Sequence, residues 1–431
     1  MKNTFKKFIV YLLRLESELV IAKYQPKIIA ITGSIGKTST KEAVYAVLSG
    51  VSHVRKSDKS YNSEIGLPLT ILGVPNGWNN PVVWLKNILK GLWLILMPHK
   101  YPKWLVLEVG VGKPGDMERT ALWLKTDVVI ITTIGETPAH IEFFHSRKNI
   151  IEEKSKLIGT LKKDGLLILN ADDEAVMGMK FGSKHLTVTY GFKEDADILA
   201  SSANILYNDK EEPTGIVFRI DERGRSLPVV IEGVFGDNHI YAALASLALA
   251  LGLELNMLEA INKLKNYDAP PGRMRLLKGQ DESLIIDDTY NSSPFACESA
   301  LKTLGQVKAT GRKIAVLGDM LELGKHTEEA HSNIGKLAKE YCEVLLVVGL
   351  RAKTIKSGAL EAGMNPENVF EFFDAYGAGE FMKTFVKSGD LVLVKGSQGM
   401  RLERVVGAII SNPRNKKKLV VRQDKEWLEK K

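Results

Sequence analysis

Short runs, most of them mainly apolar, recur along the first two thirds of the chain. Runs with helical spacing alternate with several of them. The pattern predicts strands at 27–32, 51–55, 104–109, 127–133, 165–170 and 185–189. It predicts helices at 37–49, 82–96, 147–162 and near 174–180. Continuous apolar strands alternating with helices belong to a mainly parallel sheet covered on both faces. Between Ala196 and Gly233 the pattern turns to short alternating strands with turn signals at Asn208-Asp209 and Arg223-Gly224, an antiparallel extension. An alanine-rich helix over Asp237–Leu251 and another over Asn256–Lys265 follow. Asp268-Ala269-Pro270-Pro271-Gly272 then breaks the chain.

A second α/β series begins after this break. Its strands fall near 283–288, 312–317, 343–348 and 391–395, and its helices near 295–306, 328–340, 375–387 and 400–410. The two series are alike in architecture but not in sequence, so no internal repeat is read. The expected fold is α/β: a central P-loop-type, mainly parallel sheet domain with an antiparallel extension, then a smaller Rossmann-like domain. The expected division is a short helical segment at 1–26, a central domain at 27–268, a C-terminal domain at 269–412 and a basic tail at 413–431.

A chain of 431 residues with 45% hydrophobic residues can build a full core in two or three domains. Its two cysteines, Cys297 and Cys342, are far apart and lack ligand spacing, which excludes disulfide scaffolds and zinc sites and fits a reducing, cytoplasmic setting. Much of the net charge of +8 sits at the ends: Lys2, Lys6 and Lys7, then Arg414, Lys416, Lys417, Lys418, Arg422, Lys425, Lys430 and Lys431. The plain reading is solvated termini; the sharper one is a membrane surface or an anionic substrate. Nothing resembles a nucleic-acid module. Phe8–Leu13 is apolar, but Arg14, Glu16 and Glu18 interrupt it, against a secretory leader. Val82–Met97 is the most apolar stretch, yet it is short and carries Lys86, Lys90 and Gly91. It reads as a packed helix or as one lying at a membrane surface.

The chemistry centres on Gly33-Ser34-Ile35-Gly36-Lys37-Thr38-Ser39, between the 27–32 strand and the 37–49 helix. Glycines let backbone N–H groups close on an oxyanion, and the helix N-terminus adds its positive end. Lys37 is placed for the outer phosphates of a nucleotide and the Thr38 hydroxyl for Mg²⁺. Ile31 stands where the full motif has glycine, so the match is the shorter G-x-x-G-K-T form. Glu108 ends a buried strand, where a carboxylate needs a partner or a metal unless that strand end is exposed. His140 follows the 127–133 strand and reads as a structural histidine or a ligand. Lys154, in a helix beside Glu152 and Glu153, reads from position alone as a surface lysine. Asn238 and His239, at a helix start, fit either a base edge or a cap. Arg273 is placed for phosphate or carboxylate, Asp287 and Asp288 close a strand, and Lys395-Gly396-Ser397 closes another.

The ordered set of motifs resembles the Mur ligase family, and within it the MurF branch. The residues are T-G-S-I-G-K-T-S-T-K at 32–41, Y-N-S-E-I-G-L-P-L-T at 61–70, L-E-V-G at 107–110, P-A-H-I-E-F-F at 138–144 and E-K at 153–154. D-D-T-Y-N-S-S-P at 287–294, L-G-D-M-L-E-L-G at 317–324 with His331, and V-K-G-S at 394–397 complete it. The resemblance covers about Ile28 to Ile410. It implies an ATP-dependent ligase of peptidoglycan synthesis that joins D-alanyl-D-alanine to UDP-N-acetylmuramoyl-tripeptide through an acyl phosphate. It implies nucleotide contacts from Gly33, Ser34, Gly36, Lys37, Thr38, Ser39, Asn238, His239, Arg273 and Asp288. It further implies a catalytic set of Lys37, Glu108, His140 and Lys154, with Lys154 carbamylated. Two Mg²⁺ would be held by Thr38, Glu108, His140 and Lys154. The expected working state is a monomer, with a peripheral membrane contact through 78–104 and the tail as the sharper reading of those segments.

The chain departs from the family pattern in three places. A short helix alone precedes the glycine loop, where the branch has a UDP-binding domain; the 78–104 insertion with Trp78, Trp84, Trp93 and Trp104 offers another hold on substrate. Ser293 stands where asparagine is usual, and Gln398 where arginine is usual. Two alternatives remain: a ligase of the same superfamily for another wall precursor or peptide, and a nucleotide-binding partner protein without ligase activity.

Overall fold

The computed structural model describes residues 3–58, 61–135 and 141–428. Compactness divides the chain into two units, Met1–Ser201 with Arg219–Leu227 and Asn238–Asp268, and Ser202–Phe218 with Pro228–Asp237 and Ala269–Lys431. The elements begin α1 (Asn3–Tyr24), β1 (Lys27–Thr32), α2 (Lys37–Ser49), β2 (Val54–Lys56), α3 (Gly66–Leu72), α4 (Pro81–Leu96), β3 (Trp104–Glu108), α5 (Asp116–Ala121) and β4 (Thr126–Ile131). Next come α6 (Ile141–Phe144), α7 (Arg147–Ser155), β5 (Leu161–Asn170), α8 (Glu174–Gly178), β6 (Leu186–Gly191), β7 (Ile198–Tyr207), β8 (Pro213–Glu222), β9 (Arg225–Glu232), α9 (Asp237–Gly252) and α10 (Met257–Lys263). The rest are β10 (Arg275–Lys278), β11 (Leu284–Asp288), α11 (Pro294–Gln306), β12 (Lys313–Gly318), α12 (Thr327–Tyr341), β13 (Val344–Val348), α13 (Lys353–Glu361), β14 (Val369–Phe372), α14 (Ala375–Phe385), β15 (Leu391–Lys395), α15 (Glu403–Ile409), α16 (Lys416–Leu419) and α17 (Lys425–Leu428).

One sheet runs β2-β3-β1-β4-β5-β6-β7-β8-β9. Its pairs from β2 through β7 are parallel. β8 and β9 are neighbours joined by Arg223-Gly224 alone, which makes them an antiparallel hairpin. The other sheet runs β10-β11-β15-β12-β13-β14, with only β10 antiparallel. The expected α/β class, with its antiparallel extension, is the one the chain adopts.

Alternation along the strands sorts the first unit's core. Ile28 and Ala30 of β1, Leu105 and Leu107 of β3, and Val129 and Ile131 of β4 share one buried cluster with Leu13 of α1, Leu69 of α3, and Trp84 and Leu94 of α4. The intervening positions face the other way. Ile31 pairs with Glu108, so that carboxylate lies on the opposite face from this cluster. Both cysteines are buried and neither forms a disulfide.

Boundaries differ where local chemistry overrides pattern. β2 starts at Val54 because Val51 and Ser52 still donate to the Leu48 carbonyl, both at 3.0 Å, as the end of α2. The helix expected over 147–162 stops at Ser155, tightens into a 3-10 turn to Thr160 and becomes β5 at Leu161, which pairs with Thr126. β10 and β14, four residues each, carry too little period to be read from sequence. The 400–410 helix begins at Glu403 because Arg401 takes a left-handed φ of 56°.

α1 packs beside α4. Lys23 Nζ donates to the carbonyls of Leu94, Ile95 and Met97 at 3.0, 2.8 and 2.8 Å, closing the C-terminal end of α4. Glu16 is buried against Gly91, where a Cβ would lie 2.1 Å from its Oε2. Burial pushes its carboxyl up from 4.5 to about 7. Across that interval the folded chain keeps a proton that the unfolded chain has lost, so stability falls as pH rises through it. Glu16→Gln should therefore gain on the wild type by on the order of 1–3 kcal/mol between about pH 4.5 and about pH 7. Urea unfolding at both pH values checks this; an unchanged gap would contradict it.

Candidate active site

The loop after β1 lies between the carboxyl ends of β3 and β4, where the chain's direction of travel across the sheet reverses. Ser34 N and Ile35 N both donate to the Thr133 carbonyl, at 2.8 and 3.0 Å, and fasten the loop to the segment after β4. Gly33 has a φ of 145°, and a Cβ there would lie 1.9 Å from Thr132 Oγ1. Gly36 takes a φ of 86° and opens α2, whose first N–H groups have no partner within the helix. Lys37 Nζ curls over the loop to the carbonyls of Gly33 (2.9 Å) and Ser34 (3.1 Å). Ser34 Oγ is buried with no hydrogen-bond partner among the described residues. Thr38 and Ser39 are buried in the first turn of α2. Glycine turn, helix N-terminus and lysine form an anion cradle.

Glu108 and Lys154 converge on this cradle. The Thr38 hydroxyl donates to Glu108 Oε2 at 3.0 Å, and Asn62 Nδ2 donates to Glu108 Oε1 at 3.0 Å. Glu108 is buried, not exposed at an edge. Lys154 is buried too, which overturns the surface reading; its Nζ donates to the Gly33 carbonyl at 2.8 Å. Burial first, and the Lys37 ammonium second, push its amine well below the ordinary lysine range, with Glu153 opposing. His140 lies outside the described residues. Thr38 Oγ1 and the Glu108 carboxylate are hard oxygen donors of the kind Mg²⁺ takes, its other positions being filled by phosphate oxygens and water. Among the described residues no cluster of three acidic, histidine or cysteine side chains gathers, so the fit to a first ion rests on these two residues.

Asn62 is a site residue that the sequence reading missed. The Y-N-S-E stretch signalled it, but only the fold shows Asn62 against Glu108, with its carbonyl accepting from Gly110 N at 2.8 Å. On α9, Asn238 is half-buried, while His239 turns inward, its Nδ1 2.7 Å from the Tyr267 hydroxyl.

The second unit holds Arg273 and Asp288. The Arg273 guanidinium lies over the Tyr290 ring at 4.1 Å. Lys395 Nζ donates to Asp288 Oδ2 at 2.5 Å and to the Asn291 carbonyl at 3.0 Å. Asp287 points inward and accepts from Thr289 Oγ1 (2.6 Å), Thr289 N (3.2 Å) and Gly272 N (3.1 Å). Burial raises its carboxyl to about 6. Ser293 caps α11 through Ala296 N. His331 is buried, donating from Nδ1 to the Thr327 carbonyl (2.6 Å) and accepting at Nε2 from Met320 N (3.0 Å), a structural role.

The basic tail is not simply solvated. Arg422 is buried: it donates to the Thr289 carbonyl at 3.1 Å and to the Tyr290 carbonyl, and pairs with Glu403 Oε2 at 3.3 Å. Arg401 Nε donates to the other oxygen of Glu403 at 2.6 Å. One buried carboxylate thus holds two guanidiniums, and one of these grips the loop after β11.

A family described as Mur ligase middle domain matches residues 87–250, and one described as Mur ligase, glutamate ligase domain, matches 272–398. The UDP-N-acetylmuramoyl-tripeptide--D-alanyl-D-alanine ligase of Bacillus subtilis is 29% identical over 388 residues, 90% of this chain and 76% of its own length. The ligase of the same name from Escherichia coli is 25% identical over 90% of this chain and 77% of its own. The crystal structure of MurF ligase from Thermotoga maritima in complex with ADP matches with a TM-score of 0.75 and 26% identity, covering 93% of this chain and 83% of that one. The chain belongs to the Mur ligase family.

Two substitutions test this geometry. Gly33→Ala has no room for its methyl and the wrong φ, so it should lose nucleotide binding, measured by calorimetric titration with Mg²⁺-ADP; tight binding by a folded variant would contradict the cradle. Arg422→Ala strips one cation from buried Glu403 and two donors from the 289–290 carbonyls. It should cost about 3 kcal/mol in urea unfolding, against a near-zero cost for Lys417→Ala on the exposed part of the tail.

Proposed function

We propose that this chain is an ATP-dependent amide ligase that adds D-alanyl-D-alanine to UDP-N-acetylmuramoyl-tripeptide in the cytoplasm, working as a monomer. The observation that carries the reading is the convergence of Lys37, Thr38, Glu108 and Lys154 on the 33–36 loop, in a chain whose relatives of that name align with it along about nine tenths of its length.

The reaction passes a phosphoryl group between anions and then forms an amide. The acceptor carboxylate attacks the γ-phosphorus of ATP and ADP leaves. The dipeptide amine attacks the resulting acyl carbon, loses a proton, and phosphate departs. Both steps need cations placed in advance. The α2 N-terminus, the loop N–H groups and Lys37 supply fixed positive potential for the phosphates. Thr38 and Glu108 would hold one Mg²⁺, which adds charge neutralisation when bound. Asn62 keeps the Glu108 carboxylate oriented. His140 and Lys154 would serve a second ion. A buried amine with depressed basicity is the form that adds CO2, giving a carbamate and releasing a proton, and so converts a misplaced cation into an oxygen ligand. Asn238 and His239 would take the adenine side of the site.

The test mixes the purified chain with Mg²⁺-ATP and UDP-N-acetylmuramoyl-tripeptide, with and without D-alanyl-D-alanine, and reads phosphate release and product mass. A pentapeptide product that needs the dipeptide is the expected result. Nucleotide binding with no product from this pair, but product from another acceptor, would move the chain to a different wall precursor. In ¹³C-bicarbonate, wild type should show a carbamate resonance that Lys154→Ala lacks; its absence from active wild type would remove the carbamate role.

A further inference from the structure

The outer faces of α1 and α4 carry a pattern that the ligase chemistry does not use. On α1, Ile9, Leu13 and Val20 are buried, yet Phe8, Tyr11, Leu15 and Leu19 are exposed at helical spacing, Phe8 by 57% and Tyr11 by 60%. On α4, Trp84 and Leu94 are buried, while Val82, Leu85, Leu89, Leu92, Trp93 and Leu96 are exposed, Leu96 by 75%. Each helix is therefore apolar on two sides, and one side serves the core. Both helices lie on the same core and touch each other, through Glu16 at Gly91 and through Lys23 and Tyr24 at the end of α4. Two helices side by side on one core turn their outer faces the same way. Exposed apolar surface of this extent marks a place of contact rather than ordinary solvation.

Charge selects the occupant. Between Glu64 and Glu108 the chain has no Asp or Glu, while Lys86, Lys90, Lys100 and Lys103 fall within that interval. On α1, Lys7 and Lys23 are exposed, Glu16 is buried and Glu18 is paired with Arg14 at 2.8 Å. The rim of the apolar face is thus basic. Trp93 sits among the leucines with Lys90 over its ring at 4.0 Å and His99 edge-on at 4.7 Å. Tryptophan flanked by lysine is the composition of a helix at the boundary of lipid headgroups and acyl chains. A second copy is a poor occupant, because facing α4 helices would oppose Lys86 and Lys90 to their own kind without a carboxylate to pair them. Among the described residues no helix is long and apolar enough to cross a membrane, so the contact lies in the plane of the bilayer.

We propose that the paired outer faces of α1 and α4 form a docking surface for an anionic lipid bilayer, with Leu85, Leu89, Leu92 and Trp93 entering the headgroup boundary and the lysines meeting lipid phosphates. Of the two segments the sequence offered for membrane contact, this keeps 78–104. It replaces the basic tail with α1, since the tail's Arg422 is buried in its own unit. The inference does not rest on which acceptor the ligase uses.

Flotation of the full chain with vesicles of phosphatidylcholine alone, or of phosphatidylcholine with phosphatidylglycerol, tests it. The chain should float with the anionic vesicles, bind neutral ones weakly and dissociate as salt is raised. Trp93 fluorescence should shift to the blue on binding, and Trp93→Phe should lose that shift. The double variant Leu89→Ser, Leu92→Ser should bind anionic vesicles about tenfold or more weakly, with Mg²⁺-ADP affinity unchanged as the check on folding. Absence of flotation with either vesicle would overturn the proposal, as would flotation that the double variant leaves intact. Sedimentation velocity in detergent-free buffer covers the competing occupant: a dimer that the double variant dissociates would assign the face to a second copy instead.

Discussion

The first unit's site depends on one constraint, the fastening of the 33–36 loop to the end of β4. Two loop amides share the Thr133 carbonyl, and Gly33 approaches Thr132 more closely than any side chain would allow. Lys37, Thr38, Glu108 and Lys154 gather around that contact. It orients the start of α2, which places Thr38 beside Glu108. It also turns the Gly33 carbonyl toward both Lys37 and Lys154, so two side-chain nitrogens converge on one backbone oxygen. Such convergence is costly for cations alone, and burial of the second amine is how the fold tolerates it. The α2 N-terminus, the loop amides and Lys37 together suit a substrate arriving with several negative charges.

Much of the frame was legible because the strands that build it are buried on both faces. The runs 27–32, 104–109 and 391–395 contain almost nothing but apolar residues, and no helix or loop reading competes with them. The glycine loop was legible for a local reason, since its glycines, lysine and threonine act within one turn of each other. What escaped depends on distance in sequence. Asn62 meets Glu108 across 46 residues, and Arg422 meets Thr289 across 133. No periodicity records such pairs. The burial of His239 and of Lys154 also escaped. A histidine at a helix start, read as a base-edge or capping residue, is buried beside Tyr267; a lysine among glutamates looked solvated and is buried. In both cases the helix face decides, and a nine-residue helix such as α7 shows too few turns to reveal which face is inward.

The second unit handles its charges differently. Asp287 and Asp288 are adjacent, yet alternation along β11 separates their duties: the first is spent on closing its own loop, the second on Lys395. Glu403 joins two arginines beneath the same loop. Buried networks of this kind add modest net stability but fix geometry, because each partner is worth most when all are present. The loop after β11 is therefore held from below by ionic contacts and from the side by a lysine, leaving Arg273 and Tyr290 stacked at its edge.

The strand order of the second sheet bears on how the chain comes into being. β15 lies between β11 and β12, although about a hundred residues of chain separate it from the first of these. During synthesis β10 and β11, then β12, β13 and β14, emerge as two groups with a gap where the central strand belongs. Their facing edges present unpaired amides until Leu391–Lys395 is made. The first unit's sheet has a shorter gap of the same kind, since β3 fills the place between β2 and β1, both of which precede it. Pairing in each sheet therefore waits on a strand made after both of its neighbours, and in the second sheet the wait spans more chain.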